Sequence, residues 1–350
     1  MDNAVSAIPE GDPDSNTKTT CPYCGVGCGV TVTPSADGGW TVRGDRSHPA
    51  NYGRLCSKGA ALAETLGLED RLLYPEVDGK TCDWETALDA VSARLRRVID
   101  EHGPDAVAFY VSGQLLTEDY YVANKLMKGC IGSANIDTNS RLCMSSAVAA
   151  YKRAFGSDSV PNCYEDLEQA DLVVLVGSNL AWCHPVLYQR LLKACRQRPG
   201  MRYLVVDPRR TPTCDGASQH LALRSGTDGV LFSGLLRWLH EHGHADERFV
   251  ADHTQGLDET LRLAGWYAPS VASVAEQCGL DADEVARFYA GFANTERVVT
   301  LFSQGINQSS SGTDKGNAII NCHLLTGRVG RVGCGPFSIT GQPNAMGGRE

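Results

Sequence analysis

The stretch Leu172-Val-Val-Leu-Val-Gly177-Ser178-Asn179 reads as an apolar strand running into a small polar turn. Working outward, residues 185–197 carry a helical pattern, Tyr203-Leu-Val-Val-Asp207 is a second strand, and residues 228–242 form another helical stretch. Strand alternating with helix is the order from which a mostly parallel sheet is built, so the fold class expected is α/β. Upstream, Asp83 is placed to cap a helix whose apolar face is Trp84, Ala87, Leu88, Val91, Leu95, Val98 and Ile99, ending before Gly103-Pro104. Residues 106–111 (AVAFYV) read as a buried strand, and helices are expected at 117–129 and about 144–154. Downstream, helical segments at 270–278 and 281–293 lead to a strand at 297–303 and a long helix around 313–327. Nearer the start, residues 29–34 and 40–44 alternate in the strand period around Asp37-Gly38-Gly39 and read as a hairpin.

Composition narrows the function classes. The 350 residues are 42% hydrophobic and 21% charged, as in a folded protein of two or three domains. A formal charge of −9 without a Lys/Arg cluster argues against nucleic acid as a partner. No stretch reaches the roughly 18 apolar residues that span a bilayer, and residues 1–20 hold neither an apolar signal core nor paired arginines. A polar, flexible tail over 1–20 and a soluble cytoplasmic protein, with no membrane partner, are therefore expected.

Fourteen cysteines in such a chain suggest metal ligands and buried thiols rather than disulfides. Cys21, Cys24 and Cys28 crowd together and Cys56 follows, giving C-x2-C-x3-C-x27-C. Four thiolates suit a [4Fe–4S] cluster, and Gly25 and Gly27 let a short loop wrap a bulky group. A structural zinc site is the alternative, although zinc favours two C-x2-C knuckles. Lys58 is either a surface lysine or a cation beside a reduced cluster. The strand ends at Gly177-Ser178-Asn179 and Asp207-Pro208-Arg209-Arg210-Thr211 stand where parallel sheets bind nucleotides, yet neither contains G-x-G-x-x-G, so an ordinary NAD site is unsupported. Cys143, before a helical stretch, is by itself a small buried hydrophobe as readily as a ligand.

Taken in order, CPYCGVGCGV, GRLCSKG, GQLLTEDYY, NSRLCMSSAV, VGSNLAWCHP, VDPRRT, RSGTDG, GINQSSSGTDKGNAIINCHLLTG and GPFSITGQPNAMGG resemble the molybdopterin guanine dinucleotide oxidoreductases, the family of nitrate reductases and formate dehydrogenases. The resemblance runs from Cys21 to Glu350. It implies a formate dehydrogenase/DMSO reductase-like architecture: a [4Fe–4S] domain over 21–72, a molybdopterin-binding α/β domain from 73–140 plus 305–350, and a Rossmann-like domain over 141–304. The family's chains are longer, so a further C-terminal domain is expected to be missing, and the chain is expected to be a fragment.

By the same resemblance, Cys21, Cys24, Cys28 and Cys56 hold the cluster, Lys58 lies on the electron path, and Cys143 is the protein ligand to molybdenum. Gln114, Asn139, Gly177, Ser178, Asn179, Asp207, Arg209, Thr211, Gly226, Thr227, Asp228, Gln304 and Gln308 match positions holding molybdenum bis(molybdopterin guanine dinucleotide). Met144 beside Cys143, with GxNQ and TGQPNAMGGRE downstream, is similar to the assimilatory and the periplasmic nitrate reductases, where formate dehydrogenases carry His, and the absence of export signals favours the assimilatory branch; Met144 is expected to line the pocket. The implied activity is oxygen-atom transfer from nitrate, with ferredoxin, flavodoxin or an NADH-linked reductase as electron donor. Formate dehydrogenase, and an electron-relay module without molybdenum, are the rival readings.

Overall fold

The computed structural model describes residues 16–36 and 38–348. Asp37 of the expected hairpin, residues 1–15 of the expected tail, and residues 349–350 lie outside them. Two compact units are formed. One comprises the described residues up to Tyr23, Gly27–Arg141 and those from Gln342 on; the other comprises Cys24–Val26 and Leu142–Gly341.

The first unit opens on an antiparallel sheet of β1 (Thr17–Thr20), β2 (Gly29–Pro34) and β3 (Trp40–Gly44), in the order β1-β2-β3. The hairpin expected from alternation is β2 against β3, with Val32 opposite Val42. The flexible tail expected over 1–20 is corrected at its end, because Thr17–Thr20 pairs with Gly29–Val32 as an edge strand. A single turn of helix, α1 (Ser57–Ala60), follows, and then the tight hairpin β4 (Glu76–Val77) and β5 (Lys80–Thr81). Helix α2 (Trp84–His102) begins as expected, the Asp83 carboxylate accepting the Thr86 amide at 2.8 Å. It stops at Gly103, whose φ of +84° no longer continues a helix.

Its apolar face is largely uncovered. Only Ala87 is buried, while Trp84, Leu88 and Val91 are 67%, 60% and 53% exposed. The strand expected to be buried at 106–111 is likewise shorter and more open. It is β6 (Phe109–Val111), and Tyr110 in its centre is exposed. Helix α3 (Thr117–Asn124) passes into a π-helical turn over Lys125–Ile131, and β7 (Ile136–Thr138) then pairs in parallel with β6. Periodicity marks these segments correctly but does not reveal what covers them, because burial depends on neighbours that alternation within a segment does not encode.

In the second unit α4 (Ser140–Phe155), from Leu142 on, and α5 (Tyr164–Gln169) precede β8 (Leu172–Val176), and α6 (Leu180–Cys183) and α7 (Pro185–Gln197) lead to β9 (Arg202–Val206) and β10 (His220–Leu221). Helices α8 (Asp228–Glu241), α9 (Glu247–His253), α10 (Leu257–Tyr267), α11 (Val271–Cys278) and α12 (Ala282–Ala293) follow, then β11 (Val298–Phe302), α13 (Gln304–Asn307), α14 (Gly312–Leu325) and β12 (Gly335–Ser338). The sheet is all parallel, in the order β10-β9-β8-β11-β12. Every residue of β8 and β11 is buried. Helices on both faces explain why these strands are continuous apolar runs and not alternating ones. Leu172, Val174, Val176, Leu204, Val298 and Phe302 join a core with Ala147 and Tyr151 of α4, Leu231 and Leu235 of α8, Phe288 of α12 and Ile319 of α14. Residues 305–341, grouped with 73–140 in the division expected above, lie in this unit, since β12 pairs with β11 and α14 packs on α8.

Asp171, just before β8, binds the heads of this sheet together. Arg297 donates to its two oxygens at 2.9 and 3.0 Å, and Arg198 donates to the first of them. The hydrogen bond from Arg297 chiefly, then the charges of Arg297 and Arg198, hold the Asp171 carboxyl below its usual range against the opposing effect of burial. A folded value below the unfolded one, about 3.9, stabilises the protein above that pH and ceases to do so as pH falls through the folded value. Thermal melts of Asp171→Asn are expected to lie below wild type at pH 7, the gap closing as pH drops under about 4. A gap independent of pH would show that the carboxylate charge contributes nothing.

Candidate functional site

A parallel sheet binds ligands outside the carboxyl ends of its strands, at the point where the strand order reverses. Here the chain leaves β8 for β9 and β10 on one side, whereas β12 lies on the other side of β11, so the crevice falls between the ends of β8 and β11. Gly177 ends β8 with φ +55°, and a Cβ built on it would stand 2.7 Å from the Cα of Gly305. The Gly305 amide donates to the Gly177 carbonyl at 3.0 Å. Only glycine permits both the left-handed backbone and this approach.

Around that crevice the structure gathers many of the expected residues. The hydroxyls of Ser178 and Thr211 are buried without a hydrogen-bond partner, as is the side-chain oxygen of Asn307. Buried polar atoms are ordinarily satisfied, so three such orphans fit a hydrogen-bonding ligand at these strand ends. Asn179 is engaged by the Thr213 hydroxyl at 2.9 Å, and Asp207 accepts the Arg209 amide at 2.9 Å. Arg209 and Gln308 are exposed. Asp228 is buried at the start of α8, with its carboxylate 2.8 Å from Lys315 of α14. Gly226 has φ +92°, and the Thr227 hydroxyl turns back to the Arg224 carbonyl.

Cys143 lies in the first turn of α4, partly exposed, and the Gln304 amide donates to its sulfur at 2.8 Å. The Ser303 hydroxyl, 2.8 Å from the Gln304 amide oxygen, fixes the orientation of that amide. Met144, expected to line the pocket, is 4% exposed and sits in the core, with its sulfur taking the Asn307 amide at 3.3 Å. Ser303 was not legible as a site residue, because nothing in its spacing distinguishes it from loop polars, and Asn307, though within the GINQ motif, was not assigned a place in the site. A groove of about 960 Å³ elsewhere on this unit, lined by Arg153, Tyr267, Asn317 and Asn321 among others, includes none of the expected residues.

In the first unit Asn139 comes together with Gly113 and the 342–348 segment, while Gln114 is exposed beside them. Asn139 accepts the amides of Gly113 at 2.8 Å and Gln342 at 3.0 Å, and Gln342 accepts the Ser140 hydroxyl. Asn344 reaches the Leu115 carbonyl at 2.8 Å. A Cβ on Gly113 would stand 2.2 Å from the amide oxygen of Gln342, so a larger residue there would have to displace that side chain.

The cysteine loop is built by backbone closure. The Cys21 amide donates to the Cys28 carbonyl at 2.8 Å, and both residues are buried. Asn51, fully buried, links the segments bearing Cys28 and Cys56. Its amide reaches the carbonyls of Gly29 and Arg54 while its oxygen accepts the Gly29 amide. Burial pushes the Cys21 thiol up, and its nearest charged influences beyond the Tyr23 amide are Cys56 and Lys58. Lys58 is exposed. None of the fourteen cysteines is in a disulfide. Among the described residues no three His, Cys, Asp or Glu side chains gather as ligands of one ion. Four cysteines are the donor set that a [4Fe–4S] cluster takes, so the residue types present fit such a group.

Comparison with known proteins agrees with this geometry. The molybdopterin oxidoreductase Fe4S4 domain matches residues 14–67, and the molybdopterin oxidoreductase family matches residues 71–349. The chain belongs to the molybdopterin oxidoreductases, and its two matched domains carry the cofactor classes of that family, a four-iron cluster and a molybdopterin. It is 61% identical over 337 residues to a nitrate reductase of Klebsiella oxytoca, covering 96% of this chain and 38% of the relative. A nitrate reductase of Shewanella frigidimarina is 50% identical over 342 residues, with 95% and 36% covered. The chain thus spans well under half the length of these curated relatives. Among solved structures, acetylene hydratase from Pelobacter acetylenicus shares the fold with a TM-score of 0.78 at 23% identity, over 90% of this chain and 44% of that one.

Replacing Gly177 by Ala is expected to cost about 1–3 kcal/mol for the left-handed backbone alone, with the collision against Gly305 adding to it. Urea unfolding measures this; an unchanged midpoint would mean that the two strand ends do not need their close approach.

Proposed function

We propose that this protein takes part in the reduction of nitrate to nitrite at a molybdenum–pterin centre fed by its [4Fe–4S] cluster. The observation that carries the reading is the Cys143 thiol, oriented by Gln304 where the parallel sheet opens between β8 and β11. A soft thiolate at a dinucleotide-type crevice is the ligand such a metal takes. Bound there, molybdenum would supply two-electron oxygen-atom transfer: nitrate, two electrons and two protons give nitrite and water.

The chain's own residues then divide the work. Cys143 ligates the metal, and Gln304, fixed by Ser303, holds the sulfur's direction. Ser178 and Thr211 offer hydroxyls to a guanine dinucleotide, with Asn179, Asp207, Arg209, Gly226-Thr227-Asp228 and Gln308 along its course, while Gln114 and Asn139 hold pterin. Met144 acts from the core, by keeping Asn307 in place. Cys21, Cys24, Cys28 and Cys56 hold the cluster and Lys58 helps electrons leave it. An assimilatory role in the cytoplasm, with ferredoxin, flavodoxin or an NADH-linked reductase as donor, belongs to the same proposal. Exposed thiols at Cys130, Cys163 and Cys183 suit a reducing compartment. Among the described residues no helix is long and apolar enough to cross a membrane.

Metal analysis after anaerobic purification from a host that makes the cofactor is expected to give about four irons and one molybdenum per chain. Reduced viologen should be reoxidised by nitrate, and formate should not reduce the oxidised dye. Cys143→Ser should keep the iron and lose nitrate turnover by more than the roughly 100-fold that loss of a supporting residue costs. Zinc in place of iron, or turnover of formate, would overturn the reading.

A further inference from the structure

The turn between the second and third cysteines of the motif is gripped by residues to which no role has been assigned. Tyr164, the first residue of α5, directs its hydroxyl at two consecutive carbonyls, Gly25 at 2.9 Å and Val26 at 3.2 Å. A phenol has one hydrogen, so the two acceptors share it. The Gly25 amide is taken by the Gly341 carbonyl at 3.0 Å. Next to Gly341, the Thr340 carbonyl is held by the His184 ring at 2.6 Å. The turn Cys24–Val26 is therefore fixed from both of its polar sides.

The tyrosine is itself fixed. Its ring packs on Phe337 at 6.1 Å and under the Arg190 guanidinium, 5.7 Å from the ring centre. Arg190 is 1% exposed and forks onto both oxygens of Glu168 at 2.9 Å, with Glu165 at 3.3 Å. Burial works against its charge, but the hydrogen bonds and charges of Glu168 and Glu165 outweigh it and raise its pKa. The α5 start is tied down as well, the Asp166 carboxylate accepting the amides of Cys163 and Gly333. A buried arginine paired with two partly exposed glutamates, together with a capped helix end, thus aims one hydroxyl.

We propose that Tyr164, braced by Arg190, is a positioning residue for the cysteine loop and raises the reduction potential of the cluster held there. The proposal rests on the reading of Cys21, Cys24, Cys28 and Cys56 as cluster ligands. A cluster gains negative charge on taking up an electron, and its potential follows the polarity and hydrogen bonding of its surroundings. The hydroxyl draws on the negative ends of two carbonyl dipoles in the segment between two ligands. Without it those dipoles oppose the added electron more strongly, and the segment is freer to admit alternative positions.

Tyr164→Phe removes the hydroxyl and keeps the ring on Phe337 and Arg190. Tyr151→Phe is the matched control, since the Tyr151 hydroxyl bonds the backbone of Pro336 and Ser338 in β12 and not the turn. The chain is purified anaerobically, its iron counted, and its cluster titrated against potential by electron paramagnetic resonance. Tyr164→Phe should bind iron as wild type does, with a more negative midpoint: about a tenfold lower reduced-to-oxidised ratio at fixed potential, which is about 59 mV for one electron. Tyr151→Phe should titrate as wild type. Full iron with an unshifted midpoint in Tyr164→Phe would overturn the proposal, as would an equal shift in both variants. A wild-type chain without iron would instead bring down the ligand reading on which it rests.

Discussion

Gly177 and Gly305 meet backbone to backbone at the ends of β8 and β11, and the geometry of the crevice follows from that meeting. Two parallel strands whose chains depart in opposite directions leave a gap above their carboxyl ends. How narrow the gap is depends on what the first residues beyond the strands can tolerate. With glycine on both sides the turns lie flat against each other, joined by the Gly305 amide. That brings Gln304 onto the Cys143 sulfur and leaves the hydroxyls of Ser178 and Thr211 inside, with nothing of the protein to bond. A bulkier pair would spread the strand ends and take Gln304 away from the thiol.

The cysteine loop depends on a different economy, in which backbone groups are tied by single side chains. Asn51 does this for the segments of Cys28 and Cys56, and Tyr164 does it for the turn after Cys24. Each satisfies two carbonyls at once. Loops that wrap a large inorganic group cannot use strand or helix ladders for their own amides and carbonyls, so these must be satisfied from outside. Such supporting residues orient ligands and tune the bound centre as much as the ligands do.

The first unit presents the opposite situation. Trp84, Leu88 and Val91 of α2, and Tyr121 and Val122 of α3, are exposed, and the parallel pair β6 and β7 has only three residues in each strand. Helix α2 is nevertheless well specified locally, by the Asp83 cap and the Gly103 stop. Local signals and burial are thus separable, and a helix can be well encoded where much of its apolar stripe stays exposed.

From the residues alone came the α/β class, the strands β8, β9 and β11 and the helices α4, α7, α8, α11, α12 and α14 of the second unit, the hairpin after the cysteine motif, and the family resemblance that the comparisons bear out. These were legible because they rest on short-range patterns: continuous apolar runs in doubly covered strands, caps, glycine stops and close cysteine spacing. Other features were decided only in three dimensions. Thr17–Thr20 became an edge strand, Met144 turned into the core, Asp228 paired with Lys315, and β12 joined β11 across the long helix α14. Asn51, Tyr164, Ser303 and Asn307 acquired partners between 22 and 163 residues away in the chain. A hydrogen bond at such separation leaves no period and no spacing in the sequence, because its partner is chosen by how the elements pack and not by the residues beside it.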